Sequence, residues 1–232
     1  MERLASYNRA SLLSILSGID ISVPPRGSER STKDTERWSI CRLLSTLAWQ
    51  NMLEYPSVVE KSQRPDYVIR LGEDHVGIEI TEAVKEDLAR AEVLSDAKSN
   101  SVIDISLFKW RDQRKTLEEL RQIVTQTTLR GPGWVGDEPE REFADAISDK
   151  IEEKTRKLNE DTFHRFDEDW LLIYENLRLP SLERAIAASY LCLSLSIYCG
   201  AASFNRIFIE SWKFMIELSK DALSMHRICN LW

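Results

Sequence analysis

Two acids in this sequence stand where a cation could be held. Asp66 follows Pro65 at the entrance to the run Tyr67-Val68-Ile69-Arg70. Glu79 lies inside a second run, His75-Val76-Gly77-Ile78-Glu79-Ile80-Thr81-Glu82. Residues two apart on a strand share a face, so Glu79 and Thr81 point one way and Ile78 and Ile80 the other, toward a core. A carboxylate flanked by isoleucines is costly to bury unless something pairs with it. The natural partner for two such carboxylates is a divalent cation, with the Lewis-acid chemistry such an ion brings.

The elements that would position these acids follow from the surrounding pattern. The two runs join through Gly72-Glu73-Asp74, which predicts a hairpin. Residues 1–30 read as an N-terminal extension, with a short helix near Ser11–Ser17 and a turn at Val23-Pro24-Pro25-Arg26-Gly27. Ser31-Thr32-Lys33-Asp34-Thr35-Glu36 supplies N-cap candidates and first-turn acids for a helix. Trp38, Cys41, Leu44, Ala48 and Met52 recur at helical spacing, and Pro56 closes the segment. Ser57–Lys61 reads as a short strand.

Residues 85–135 form a charge-rich helical insert in this reading: Lys85–Lys98 helical, Val102–Ile105 a short strand or turn, and Leu107–Arg130 helical up to the Gly131–Gly136 break. Pro139–Leu158 carries the apolar stripe Phe143, Ile147, Ile151 and Leu158, and Lys150, Lys154 and Lys157 share another face. Asp169–Glu175 is a short continuous apolar run, the mark of a strand buried on both sides. A helix from Pro180 that Gly200 can terminate, a strand at Asn205–Glu210 and a last helix over 212–228 complete the chain. The order predicts one α/β domain over 31–232, with a mixed sheet made of an antiparallel hairpin and crossover strands.

Composition narrows the partners. The chain has 232 residues and a net charge of −7, so it has no global attraction for a polyanion; binding one needs a local basic surface or a bound metal. Cys41, Cys192, Cys199 and Cys229 are scattered in apolar surroundings, with no CxxC pair. His75, His164 and His226 are far apart. The pattern argues against structural zinc and for buried free thiols in a reducing cytosol. The apolar patch Leu12–Leu16 is interrupted by Asp20 and does not read as a signal peptide. Residues 185–204 carry no charge over about the length of a membrane span, but the serines and Gly200 among them fit a helix buried under a sheet. The expectation is a cytoplasmic protein without a membrane partner.

Pro65-Asp66, followed on the next strand by Glu79-x-Thr81, resembles the PD-(D/E)xK motif of the restriction-endonuclease-like nucleases, and the α-β-β-β-α-β order over roughly 31–210 is similar too. The resemblance implies a restriction-endonuclease-like core and Mg²⁺- or Mn²⁺-dependent hydrolysis of phosphodiesters, with DNA as substrate. It also implies a role in bacterial, phage or mobile-element defence or in DNA processing. Asp66 and Glu79 would be catalytic metal ligands. Glu36 would be the third acid the family often carries on its first helix, although a first-turn acid favoured by the helix dipole explains it equally. Carboxylates on converging strands suit this work because they hold one or two ions near the scissile phosphate.

The chain departs from the family at Thr81, where a lysine is usual. In the family that lysine adds positive charge over the phosphate or the attacking water. Two readings follow: the charge comes from Lys154 or Lys150 on the later helix, or the chain is a nuclease fold kept as a binding or assembly module. Lys109, Arg111, Arg114 and Lys115, with Trp110 among them, are the candidates for contact with a nucleic-acid backbone; an exposed amphipathic helix is the plainer explanation. A homodimer would suit double-strand cutting. Glu82, on the face opposite Glu79, is expected to face solvent or to sit at the strand end.

Overall fold

The computed structural model describes residues 2–27, 29–96, 102–160, 164–195, 204–220 and 222–232. One mixed eight-stranded sheet organises them, and its strands lie side by side in chain order. They are β1 (Arg3–Ser6), β2 (Ser57–Lys61), β3 (Tyr67–Leu71), β4 (Asp74–Val84), β5 (Glu168–Asn176), β6 (Arg206–Ser211), β7 (Phe214–Ser219) and β8 (Leu223–Arg227). The first four are antiparallel neighbours. β5 and β6 then run parallel to β4, and β7 and β8 return antiparallel. Six helices accompany the sheet: α1 (Arg9–Ser17), α2 (Thr32–Trp49), α3 (Glu86–Asp96), α4 (Leu117–Ile123), α5 (Glu138–Leu158) and α6 (Arg184–Leu195).

The parallel strands sit at the centre, where a continuous apolar run can be buried on both faces. In β5, Leu171, Leu172 and Ile173 are fully buried. Leu172 belongs to a core with α1 and α2, including Leu12, Leu16, Ile40, Leu44, Ile69 and Ile78. Leu171 and Ile173 belong to a second core with Phe143 and Ile147 of α5 and Ala187 and Leu191 of α6. The period-2 alternation of β4 is what places Ile78 and Ile80 under α2 and turns Glu79 toward α5. β1 pairs with β2, and Leu12 and Leu16 of α1 are fully buried, so residues 3–17 share the sheet and the first core.

Several expected elements differ. Residues 212–228 hold the β7–β8 hairpin instead of a helix. β7 buries Met215, Ile216, Glu217 and Leu218, and Glu217 is satisfied across the strands by Arg206 at 2.6 Å and by His226 at 2.9 Å. Leu107–Arg130 forms only the short α4. Upstream of it, Asp104 gathers the chain into a compact loop, accepting from Ser106 N at 3.1 Å, Arg130 N at 2.8 Å and Gly131 N at 2.5 Å. Burial would raise the Asp104 pKa, but the Gly131 and Ser106 donors outweigh it and leave the carboxyl below its usual value. Val102–Ile105 is not a strand; a 3₁₀ turn follows at Ile105–Leu107. A buried ionic cluster fixes this insert to the core: Glu142 of α5 is ion-paired with Lys85 Nζ and accepts from Trp110 N and Trp134 Nε1, each at 2.7 Å.

α6 buries one face only, through Ala187, Ala188 and Leu191, while Ile186 and Leu193 are exposed. Among the described residues, no helix is long and apolar enough to cross a membrane. Cys41 is buried, but Cys192 is exposed and Cys229 is half-buried. Cys199 and Gly200 lie outside the described residues.

Candidate active site

The ladder between β3 and β4 ends where Tyr67 pairs with Ile78. Pro65 has no N–H to continue it, and Asp66 takes over. Its Oδ2 accepts a hydrogen bond from Ile80 N at 2.8 Å. The acid therefore completes the edge of β4 that β3 leaves bare, which fixes it beside Glu79. Gly77 makes room for this turn of chain. A Cβ there would lie 2.7 Å from a Phe166 ring carbon, 3.0 Å from Pro65 Cγ and 3.2 Å from an Asp169 oxygen.

Glu79 points to the other side of the sheet from Ile78, where α5 crosses. Lys154 of α5 reaches it, Nζ 2.7 Å from Glu79 Oε1, with both side chains mostly shielded from solvent. Thr81 follows on the same face of β4, paired in register with Ile173 of β5, and brings a hydroxyl without charge. A helix thus brings a positive charge to the face of β4 that carries Glu79 and Thr81. Lys150, one turn earlier, is 3.1 Å from Glu153 instead.

A second lysine completes the cluster. Lys61, at the end of β2 opposite Tyr67, places Nζ 2.6 Å from Glu36 Oε2 and 3.7 Å from Asp66 Oδ1. Its amine also lies over the Tyr67 ring, 4.5 Å from the centroid. Glu36 comes from the first turns of α2, so Lys61 links an acid of α2 to the acid of the turn before β3. Asp66 reports the crowding: burial pushes its pKa up to about 6, and the Glu79 and Glu36 charges add to the rise against the Ile80 N–H and Lys61. The sequence carried a signal for Lys61, since the alternation of Val59 inward on β2 puts Lys61 on the same face as Val59 and next to the Asp66 turn.

As ligands, Asp66 and Glu79 would be an oxygen donor pair, the chemistry that Mg²⁺ and Mn²⁺ take. Mg²⁺ commonly takes one or two protein carboxylates and keeps several waters, without a dedicated all-protein cage. Asp66 and Glu79 supply that number, and a desolvated carboxylate crowded by other acids favours a cation beside it. Among the described residues, no group of three or more His, Cys, Asp or Glu side chains is arranged to hold a metal.

The other candidate residues lie apart from this cluster. Lys109 donates to Gly133 O at 2.7 Å and is 3.4 Å from Glu138. Arg111 grips Asp149 through Nε at 3.0 Å and Nη2 at 2.6 Å. Lys115 lies over the Phe108 ring, 5.5 Å from its centroid, and 4.0 Å from Asp112. Arg114 is exposed. These four do not form the basic face of one helix, because the chain there is a loop, with Arg111 at φ 65°. Glu82 is not solvent-facing either: Arg26 at 2.5 Å, Arg30 at 3.3 Å and Asn176 at 2.8 Å surround it. His75 N donates to Asp167 at 2.8 Å, outside the cluster.

The fold and cluster define a mixed α/β protein with converging carboxylates and two lysines at the edge of its parallel strands. No family model, no curated protein and no solved structure matches the chain.

Proposed function

We propose that the chain is a metal-dependent nuclease of the PD-(D/E)xK type, hydrolysing DNA phosphodiesters with Mg²⁺ or Mn²⁺ held by Asp66 and Glu79. The single observation that carries this reading is the contact between Lys154 and Glu79. It gives β4 the positive charge that Thr81 lacks, at the acid where the family's chemistry needs it. The order α2, β2, β3, β4, α5, β5 supports a restriction-endonuclease-like core.

The chemistry the ion supplies when bound is polarisation of a phosphoryl oxygen and easier deprotonation of water. The chain's own residues prepare the place for it. Asp66 is anchored by the Ile80 N–H, so one carboxylate oxygen is fixed without a mobile loop. Glu79 is fixed by its strand, and the Lys154 amine stands within reach of a negative charge developing beside it. Lys61 bridges toward Asp66 and Glu36 and orients both acids. The Thr81 hydroxyl offers a neutral donor on the same face.

A second reading keeps this fold as a binding or assembly module without turnover. Thr81 in place of lysine favours it, as does the lack of a three-acid metal group among the described residues. Incubation of the purified protein with plasmid DNA and Mg²⁺ or Mn²⁺ separates the two, with Asp66→Ala, Glu79→Ala and Lys154→Met alongside. Cutting by the wild type that all three variants lose supports the nuclease. Equal cutting by wild type and variants overturns the residue assignment, and no cutting by the wild type together with no metal binding supports the module.

A further inference from the structure

A cleft of about 1060 Å³ is lined by neither Asp66, Glu79 nor Lys154. It opens at the carboxyl ends of the parallel strands, between Tyr174–Asn176 of β5, Glu210 of β6, the 23–30 segment and α2. The carboxyl ends of parallel strands are a common place for ligands in open α/β sheets. The position alone makes it a candidate binding site.

Its lining is strongly cationic for an acidic chain. Arg26, Arg30, Arg42, Arg178, Lys213 and Arg227 line it, against the acids Glu92, Glu175 and Glu210, while the whole chain carries −7. Three of these cations are already engaged: Arg42 with Glu210 at 2.6 Å, and Arg26 and Arg30 with Glu82. Lys213 and Arg227 make no ion pair with the described residues, and Arg178 is exposed with only a 3.6 Å contact to Glu92. Free cations therefore stand at the rim, and paired ones within.

The aromatic residues supply the second half of the chemistry. Trp38 and Tyr174 line the interior, and Trp212 stands at the rim with 63% of its surface exposed. Trp212 occupies the β6–β7 turn at φ 54°, a left-handed conformation that a bulky side chain rarely adopts. Its backbone is held there by Arg42, which donates to Trp212 O at 3.0 Å, and two cations lie over its ring, the Lys213 amine 4.3 Å and the Arg184 guanidinium 5.4 Å from the centroid. An exposed tryptophan in a left-handed turn, next to cations without a carboxylate partner, is an arrangement that suits a planar ring bearing an anionic group, the ring displacing a cation from the indole face.

We propose that this cleft is a nucleotide site separate from the Asp66–Glu79 cluster, taking a nucleoside phosphate with its phosphate on Lys213, Arg227 and Arg178 and its base against Trp212. The ligand is a free nucleotide or the 5′-phosphorylated end of a nucleic-acid chain, two sources with the same chemistry. The inference stands on the cleft alone and does not require metal at Asp66.

Calorimetry on the full chain in EDTA tests it, with AMP, ATP, orthophosphate and a 5′-phosphorylated pentanucleotide as probes. The proposal expects AMP and ATP to bind more tightly than orthophosphate. Trp212→Gly, which suits the left-handed turn and so preserves the fold, is expected to weaken AMP by about tenfold, in line with loss of one stacked base, and to leave orthophosphate within about twofold. Lys213→Ala combined with Arg227→Ala is expected to weaken both. Asp66→Asn is expected to bind AMP as the wild type does, which keeps this result distinct from the fate of the nuclease reading. Tighter binding of the pentanucleotide than of AMP assigns the chain end as the source, and the reverse assigns the free nucleotide. No binding up to millimolar concentrations, equal affinity for AMP and orthophosphate, or wild-type affinity in both sets of variants overturns the proposal.

Discussion

Asp66→Asn should make the protein more stable near neutral pH, and by an amount that depends on pH. The folded-state pKa of Asp66 is about 6, raised from 3.8 mainly by burial. A carboxyl with a raised folded pKa binds its proton more tightly in the folded chain. Its cost is therefore absent below about pH 4, grows as pH rises, and is complete above about pH 6. Roughly two pH units at about 1.4 kcal/mol each set an upper bound of about 3 kcal/mol. Asparagine keeps an oxygen for the Ile80 N–H and has no charge to desolvate or to repel Glu79 and Glu36. It gives up the 3.7 Å contact to Lys61, which at that distance is worth about 1 kcal/mol or less. The net expectation is a gain of about 1–3 kcal/mol at pH 7.5, shrinking toward zero at pH 4. Denaturant melts of both proteins in EDTA, at several pH values between these limits, read it directly. Every other ionisable group is common to the two proteins, so the difference at each pH isolates Asp66. A variant less stable than the wild type at pH 7.5, or a gain that does not change with pH, would refute the reasoning.

Other perturbations probe the frame around the cluster. Glu142→Gln leaves Lys85, whose side chain is only 3% exposed, without its counter-charge, and should cost about 3–5 kcal/mol in a denaturant melt. Gly77→Ala pushes a methyl group against Phe166, Pro65 and Asp169; a loss of about 1–3 kcal/mol is expected, together with weaker Mg²⁺ binding by calorimetry, because Pro65 carries Asp66. Leu16→Ala removes a fully buried side chain from the first core and should cost about 2–5 kcal/mol; a cost near zero would detach residues 3–17 from that core.

The centre of the fold was legible because its signals are local. The alternation of Ile78 and Ile80 against Glu79 and Thr81 fixed the faces of β4, and the apolar run at Leu171–Ile173 marked a strand covered on both sides. The hairpin 214–227 was not legible for a physical reason. Met215, Leu218, Ala222 and Met225 fall at helical spacing, and Glu217 looks like a solvent residue until Arg206 and His226 arrive from neighbouring strands. Long-range partners of that kind leave no mark in a local window. The same holds for 107–116, where Asp104 and Glu142 collect donors from distant backbone and indole N–H groups and outcompete helix formation. Edge strand β1 is only four residues long, too short for its period to register.

The cluster was legible in part. Lys154 meets Glu79, and Lys61 links Asp66 to Glu36. Lys154 was reachable from sequence because α5 has one clear apolar stripe, which fixes the face its lysines present. Lys61 was harder, since a lysine ending a short strand is ordinarily a solvated residue. The basic stretch 109–115 gave a misleading signal: its charges serve Asp149, Glu138 and Asp112 of the chain itself.

We propose that Asp66 and Glu79 hold a divalent ion beside Lys154 for phosphodiester hydrolysis. The most direct measurement is plasmid cleavage by the purified chain over a Mg²⁺ and Mn²⁺ titration, with Lys154→Met beside the wild type. Metal-dependent cutting that falls at least about a hundredfold in Lys154→Met, with metal binding retained, is the predicted result; a fall of that size matches the loss of one group stabilising transition-state charge. Cutting that is independent of metal, or undiminished in Lys154→Met, would contradict it.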